Sequence, residues 1–275
     1  MYSQSPNRHP ITSPPPTDDQ YDEDINETLI TGNSSGLGRG FSSTPLNRVG
    51  RSMACSRRGC DLAGVHDQQC DLADFDAVPN ALNHLLGGVD RLDLVILNAG
   101  MLGEIKPMHE TSLEALREIT DINVWSNKVV LDWLLESGIA VGQIVAISSG
   151  AAVLGNKGWS GYTLTKAALN MVMRLYSHEF PDTHLSAIAP GLIDSAIMDY
   201  LCIEPDVEEY QALARIREAR GTEVMPKPRQ AAERVMGILD ELKQFESGSF
   251  VDIREIIAPE EYAALMAARN RAKPQ

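Results

Sequence analysis

No two cysteines stand at the C-x-x-C interval, and no cysteine and histidine set has zinc spacing, although the 275-residue chain holds Cys55, Cys60, Cys70 and Cys202. That absence removes a disulfide framework and a structural zinc site, and it leaves four free thiols, as expected of a protein kept in the reducing cytoplasm. The six histidines show no metal spacing either, so no metal is expected. Basic charge is short: 24 lysines and arginines face 38 acids, a formal net charge of −14. Such a surface repels phosphate backbones and anionic lipid headgroups, which excludes nucleic acid and membranes as partners. The opening stretch, MYSQSPNRHPITSPPP, lacks the apolar core of a secretory signal. Long apolar runs are missing too. The 20-residue window Ser137–Asn156 is uncharged, but Gly138, Gly142, Gln143, Ser148, Ser149, Gly150 and Gly155 divide it into loop, strand and loop.

What the chain does have is 43% hydrophobic residues, enough for one large core. Residues 1–26 read as a disordered acidic tail, because up to Thr28 the chain carries five prolines and six acids against one arginine. Residues 27–256 form the expected domain. In it, short apolar runs alternate with helical patterns, the signature of βαβ units and a parallel sheet. The runs that read as strands are Thr28–Thr31, Met53–Ser56, Val65–Cys70, Leu92–Leu97, Gln143–Ile147, Leu185–Ile188 and Ser249–Ile253. Helical patterns cover Phe75–Leu86, Leu113–Leu135, Gly161–Phe180 and Arg229–Gln244. The fold class expected is α/β, a single-domain Rossmann-like three-layer structure with a doubly wound parallel sheet of about seven strands.

Three local readings are sharper. Thr111 and Glu114 are placed for a capping box, and Asn123 falls on the same helical face as Leu116 and Ile119. Between Gly38 and Met53 a helix is expected, yet Pro45 and the Ser42-Ser43-Thr44 run oppose one, and the strand that follows has no β-branched residue. A shortened helix is the expectation there. Residues 257–275 predict a short terminal helix with Pro259 in its first turn.

After the first strand comes TGNSSGLG, with glycines at 32, 36 and 38 rather than in the G-x-G-x-x-G pattern. Between a strand and a helix, such a turn brings backbone N–H groups to a pyrophosphate, so Gly32, Ser34, Ser35, Gly36, Leu37 and Gly38 are candidate coenzyme contacts. At the end of the second strand, where a carboxylate would bind the ribose hydroxyls of NAD, stand Arg57 and Arg58. Their cations suit a 2′-phosphate, which favours NADP(H) over NAD(H).

Tyr162 and Lys166 lie four apart on a helical pattern and share a face. An ammonium about 5 Å from a phenolate, at an effective dielectric of about 20, contributes roughly 3 kcal/mol, enough to bring a phenol from about 10 to near ~7.5. That is the range a general acid or base needs. Burial opposes the shift and an oxidised nicotinamide supports it. Ser149, closing a buried strand, is placed to hold a substrate oxygen toward the tyrosine.

With TGNSSGLG, the Asn98-Ala99-Gly100 turn, Asn123, Ser149, YTLTK and PGLIDS in this order, the chain resembles the short-chain dehydrogenase/reductase family over roughly Glu27 to Glu255. The resemblance implies Tyr162 as acid/base, Ser149 as the residue polarising the substrate oxygen, Lys166 as the lysine that lowers the tyrosine pKa, and Asn123 as holder of a relay water. It implies that Asp71, with Leu72 beside it, lies at the adenine, and that Asn98, Ala99 and Gly100 lie at its ribose. Pro190, Gly191, Ile193 and Ser195 are then expected along the nicotinamide. It further implies a homodimer or homotetramer and a small carbonyl or alcohol substrate. The ending SGSFVDIRE looks like that of sepiapterin reductase and bacterial benzil reductase, which places Glu255 among the substrate contacts. Trp159, three residues before Tyr162, and Met198, in a segment that covers the substrate in the family, complete that set, whereas Trp125 and Trp133 read as core or interface. A coenzyme-sensing binding protein on the same fold is the alternative. Relatives of that kind lose the tyrosine or the lysine, and both are present here.

Overall fold

The computed structural model describes residues 27–44 and 51–271. The expected acidic tail lies outside the described residues. Seven strands form one sheet: β1 Glu27–Thr31, β2 Arg51–Ser56, β3 Val65–Gln69, β4 Arg91–Leu97, β5 Ala140–Ile147, β6 His184–Ala189 and β7 Ser249–Asp252. Their order is β3-β2-β1-β4-β5-β6-β7 and every pairing is parallel. The chain reverses direction across the sheet between β1 and β4. The crevice outside the carboxyl ends of those two strands is where an open α/β sheet binds a ligand.

Alternation along each strand sends neighbours to opposite faces. Leu29, Met53, Val95 and Ile144 face one way, onto α2 (Ala77–Leu85), α4 (Ser126–Ser137) and α6 (Ser160–Tyr176) through Val78, Leu82, Leu131, Leu134, Leu169 and Met173. Ile30, Ala54, Ile96 and Val145 face the other way, onto α1 (Gly36–Ser43) and α9 (Pro228–Met236) through Leu37, Phe41, Ala232 and Val235. A third cluster covers one part of the carboxyl edge. It joins Leu102, Ile105 and Trp159 to Leu201 of α7 (Ala196–Ile203) and to Leu213 and Ile216 of α8 (Ala212–Ala219).

The uncertain segment after the glycines resolves into a short helix with a physical reason for its length. Ser43 and Thr44 hydroxyls both donate to the Gly40 carbonyl, at 3.0 and 2.9 Å, which ends α1 ahead of Pro45. α1 survives because it lies against α9: a Cβ on Gly40 would sit 2.4 Å from the Pro228 carbonyl oxygen. β2 needs no β-branched residue because Met53, Ala54 and Cys55 are buried on both faces of a central strand.

Two helices predicted as continuous are broken. Leu113–Leu135 divides into α3 (Leu113–Thr120), a π turn at Asp121–Trp125 and α4. Asn123 lies within that turn and is fully buried, and such turns are frequent at functional sites. The predicted cap is also displaced by one residue. Ser112 receives the Ala115 N–H at 3.1 Å, while the Thr111 hydroxyl donates to the Pro107 carbonyl. The Arg229–Gln244 pattern separates into α9 and α10 (Leu239–Leu242) at Gly237 and Ile238. At the end of the chain α11 (Arg254–Ile257) and α12 (Pro259–Arg271) follow β7. Among the described residues no helix is long and apolar enough to cross a membrane.

Candidate active site

The turn leaving β1 is built from backbone. Gly32 has φ 73°, and a Cβ there would lie 2.7 Å from the Ala99 Cα; one on Gly38 would lie 2.3 Å from the Gly32 oxygen. Asn98 locks the two edge turns together: its Nδ2 donates to the Thr31 and Gly32 carbonyls at 3.0 and 3.1 Å, and its N–H donates to Thr31 Oγ1. Ser195 stands 3.8 Å from the Cβ position of Gly36, which brings the 190–195 loop against the same turn. Pro190 and Gly191 are on the open side of that loop, but Ile193 is buried in the α1–α9 core and offers the edge only its backbone. The same holds for Leu72, buried on the opposite face. Asp71 is exposed and accepts the Ala73 N–H at 3.1 Å.

Beside this turn lies a cleft of about 500 Å³ lined by Ser34, Arg39, Arg58, Gly59, Cys60, Asp61, Asp67 and Gln69. Arg58 reaches back over the turn and donates to Ser35 Oγ at 2.9 Å and Ser34 Oγ at 3.3 Å. Arg57 is exposed and does not line the cleft. The second cation there is Arg39, which sequence reasoning passed over; it pairs with Asp61 at 2.5 Å. Free glycine N–H groups at a helix start, two serine hydroxyls and two guanidiniums fit the phosphates of a dinucleotide.

Next to the turns, Ser149, Tyr162, Lys166 and Asn123 converge near the ends of β4 and β5. Ser149 Oγ receives the N–H of Ala151, the first residue of α5 (Ala151–Leu154), at 3.1 Å, and it stands beside the half-buried Tyr162, whose phenol it pulls down. Lys166, 4% exposed, sits one turn along α6 with Nζ 5.8 Å from the centre of the Tyr162 ring, and it donates to the Ile147 carbonyl at 2.7 Å. Asn123 is fully buried. Its Oδ1 receives the Met101 N–H at 2.8 Å, and its Nδ2 donates to the Met101 carbonyl at 2.9 Å and Thr165 Oγ1 at 3.0 Å. A methyl group on Gly100 would lie 3.2 Å from Asn123 Oδ1 and 3.3 Å from Lys166 Nζ, so amide and ammonium flank one Cα.

The electrostatics correct one expectation. Burial raises the Tyr162 phenol above its ordinary value, and the Ser149 hydrogen bond offsets only part of that. Burial also lowers the Lys166 ammonium from 10.5 to about 8. In the protein alone, the cost of removing both groups from water therefore exceeds their attraction, and the phenol is not brought toward neutrality. Thr165 and Asn127 are supporting residues that carry no sequence signal of their own. Asn127 Nδ2 donates to the Asn123 carbonyl at 2.9 Å, and with both amide protons of Asn123 spent, a relay water would bind its oxygens.

The profile of the short chain dehydrogenase family matches residues 26–204. The chain belongs to that family. It is 29% identical over 243 residues to the benzil reductase ((S)-benzoin forming) of Bacillus subtilis, covering 83% of this chain and 98% of the relative. It is 26% identical over 186 residues to the 2-dehydro-3-deoxy-L-rhamnonate dehydrogenase (NAD(+)) of a Sphingomonas species, covering 63% and 74%. Among solved structures, KRED1-Pglu superposes with a TM-score of 0.69 at 22% identity, over 82% of this chain and 100% of that one. Levodione reductase gives 0.68 at 20% identity, over 84% and 96%. These structural likenesses show the fold. Family membership makes the protein an oxidoreductase that uses a nicotinamide coenzyme and acts on small molecules.

In this short-chain dehydrogenase, apolar side chains stand beside Tyr162. Trp159, 8% exposed, has its ring 6.2 Å from that of Tyr162, at 55°. Leu192, Met198 and Tyr200 pack against the same cluster. The Tyr200 hydroxyl receives the Ile105 N–H at 2.9 Å, which fastens α7 to the loop after β4. Arg220 holds the start of α7 by donating to the Met198 carbonyl and pairing with Asp194 and Asp199. Glu255 is exposed on α11, while Asp252, the last residue of β7, is buried and paired with Arg254 through both carboxylate oxygens. The structure thus gives Glu255 no contact with the reacting groups to support a substrate role.

Proposed function

We propose that this short-chain dehydrogenase is an NADP(H)-dependent carbonyl reductase with Tyr162 as its general acid/base. The observation that carries the reading is Tyr162 beside Ser149, with the buried ammonium of Lys166 5.8 Å from the centre of the Tyr162 ring. When bound, the reduced coenzyme supplies a hydride to the carbonyl carbon. Ser149 donates its hydroxyl to the substrate oxygen and fixes it, and Tyr162 delivers the proton that oxygen takes up. Lys166 steadies the phenolate left behind, and Asn123 keeps the ammonium's surroundings polar and fixed. Arg58 and Arg39 favour the 2′-phosphate, since both are cations within one cleft beside Ser34 and Ser35. Asp61 and Asp67 line the same cleft, so Arg39 must exchange its carboxylate partner for the phosphate.

The substrate is a small ketone or secondary alcohol with an apolar frame, given the walls of Trp159, Leu192 and Met198. The likeness to a benzil reductase puts aromatic diketones first among compounds to try. Leu164, Met171 and Leu175 of α6 are 52%, 59% and 56% exposed along one helical face, which supports association into a homodimer or homotetramer. Four free thiols suit the cytoplasm. The test is a panel of ketones, diketones and alcohols with both coenzymes. NADPH consumption with at least one aromatic ketone, and a lower KM for NADPH than for NADH, is expected. A protein that binds NADPH yet turns over no carbonyl or alcohol with either coenzyme overturns the reading.

A further inference from the structure

Two of the tryptophans are buried to the same extent, each 8% exposed, and they differ in one respect. Trp133 gives its indole N–H to Asn83 Oδ1 at 3.0 Å. The Nε1 of Trp159 is shielded from solvent and meets no acceptor among the described residues. A buried indole N–H ordinarily finds a partner, because one left without loses its hydrogen bond to water for nothing in return. The Trp159 ring is enclosed in an apolar cluster and its backbone is held on both sides. Its backbone is pinned at the head of α6 by the Asn156 carbonyl and by the bridge to Lys106, and its carbonyl receives the Thr163 N–H at 2.8 Å.

Trp159 belongs to an apolar cluster with Leu102, Ile105, Ala151, Leu201, Leu213 and the Tyr210 ring. The Tyr200 hydroxyl beside it already receives the Ile105 N–H. Tyr162, Leu192, Met198, Tyr200, Cys202 and Val207 are its partly buried members, so the phenol lies at its border. One buried donor in a cluster that borders the phenol therefore lacks its counterpart among the described residues, and an oxygen of a substrate bound at Tyr162 can supply it.

We propose that Trp159 is a specificity-determining residue whose indole N–H donates to a second oxygen of the substrate, so that the preferred class is ketones bearing a carbonyl or hydroxyl oxygen near the reacting one on an aromatic or apolar frame. The assignment rests on the reductase reading above. An indole offers a donor and no acceptor, so the second group must be an acceptor. It cannot be the reacting oxygen, which Ser149 and Tyr162 hold.

Benzil and deoxybenzoin share two phenyl rings and differ by one carbonyl oxygen, and Trp159→Phe keeps an aromatic ring while deleting the N–H. With NADPH, Trp159→Phe should lower kcat/KM for benzil about tenfold, chiefly through KM, and leave deoxybenzoin within about twofold. Equal losses on both compounds, which a role in shape alone would give, or no loss on either, overturn the proposal while the reductase reading stands. A wild-type protein inert toward every carbonyl defeats the reductase reading instead. Recognition is then judged by NMR of the NADP-saturated protein, with the Trp159 indole resonance assigned by its disappearance in Trp159→Phe. Benzil should move that resonance downfield and deoxybenzoin should not; an unmoved resonance overturns the proposal.

Discussion

The two halves of the carboxyl edge hold charge in opposite ways. On the coenzyme side, Arg58 and Arg39 are exposed or half-exposed, their partners are serine hydroxyls and a surface carboxylate, and the shape comes from glycines and backbone. On the reaction side, Lys166 and Asn123 are buried at 4% and 0% exposure, and their partners are backbone carbonyls and a threonine. Water weakens the first set and leaves it ready to exchange partners for a phosphate. It is excluded from the second, so each charge there is costly and is held in one position. An open cationic cleft and a buried polar cluster thus sit side by side on one sheet edge in different dielectric surroundings, suited to the anion binding and the proton transfer proposed for them.

The largest effect expected is on the buried side. Tyr162→Phe removes the transferable proton and leaves the ring, and turnover of any ketone the wild type reduces should fall by about 10²–10⁴. NADPH binding, followed by quenching of tryptophan fluorescence, should be nearly unchanged, since the coenzyme turn lies outside the substitution. Parent-rate reduction by this variant would remove Tyr162 from the chemistry.

A second measurement separates the buried cation from the exposed ones. Burial lowers the Lys166 ammonium from its ordinary 10.5 to about 8. Between those values the unfolded chain holds more protons than the folded one, so stability contributed through this group rises with pH from about 8 to 10.5. Below that window both states are charged and the burial cost is constant. Other groups titrate nearby in the opposite sense: burial also raises Cys55, to about 12, and that contribution falls with pH. The informative quantity is therefore the difference between wild type and Lys166→Met in denaturant melts across this window. It should shift in favour of the wild type by up to about 3 kcal/mol as pH rises. A flat difference means that water reaches the ammonium.

The same contrast explains what can be read from the residues alone. All seven strands are legible because a parallel sheet needs apolar runs with turn residues at their ends, and that pattern is local. So is the spacing of Tyr162 and Lys166, since helix geometry alone puts them on one face. The inward face of Asn123 is legible, but the π turn around it and its side-chain partners are not: the Met101 backbone and Thr165 belong to other segments. The raised phenol escapes a pairwise argument because burial, a property of the whole fold, opposes the ammonium. Trp159 shows the limit most plainly. Its place before Tyr162 suggests a substrate contact, but the unused N–H exists only once every surrounding side chain is placed. The one-residue error at the α3 cap is of another kind, since Thr111 and Ser112 are chemically alike and only the path of the loop from Pro107 chooses between them.

The smallest effect belongs to the exposed side, and it discriminates between two neighbours. Arg57 and Arg58 are equivalent by sequence, but Arg58 lines the cleft and touches both serines of the glycine turn, whereas Arg57 faces solvent. A guanidinium that exchanges serine hydroxyls for a phosphate contributes to binding without touching the reacting atoms. Arg58→Ala should therefore raise KM for NADPH about tenfold, leave KM for NADH nearly unchanged and leave kcat with either coenzyme close to wild type. Added salt should shrink the difference, because an open cleft is screened and a buried site is not. The matching Arg57→Ala variant should do less on every count. If Arg57 proved the stronger of the two, the loop from Ser56 to Gly59 would have to rearrange when the coenzyme binds, and the open half of the edge would be the adaptable half.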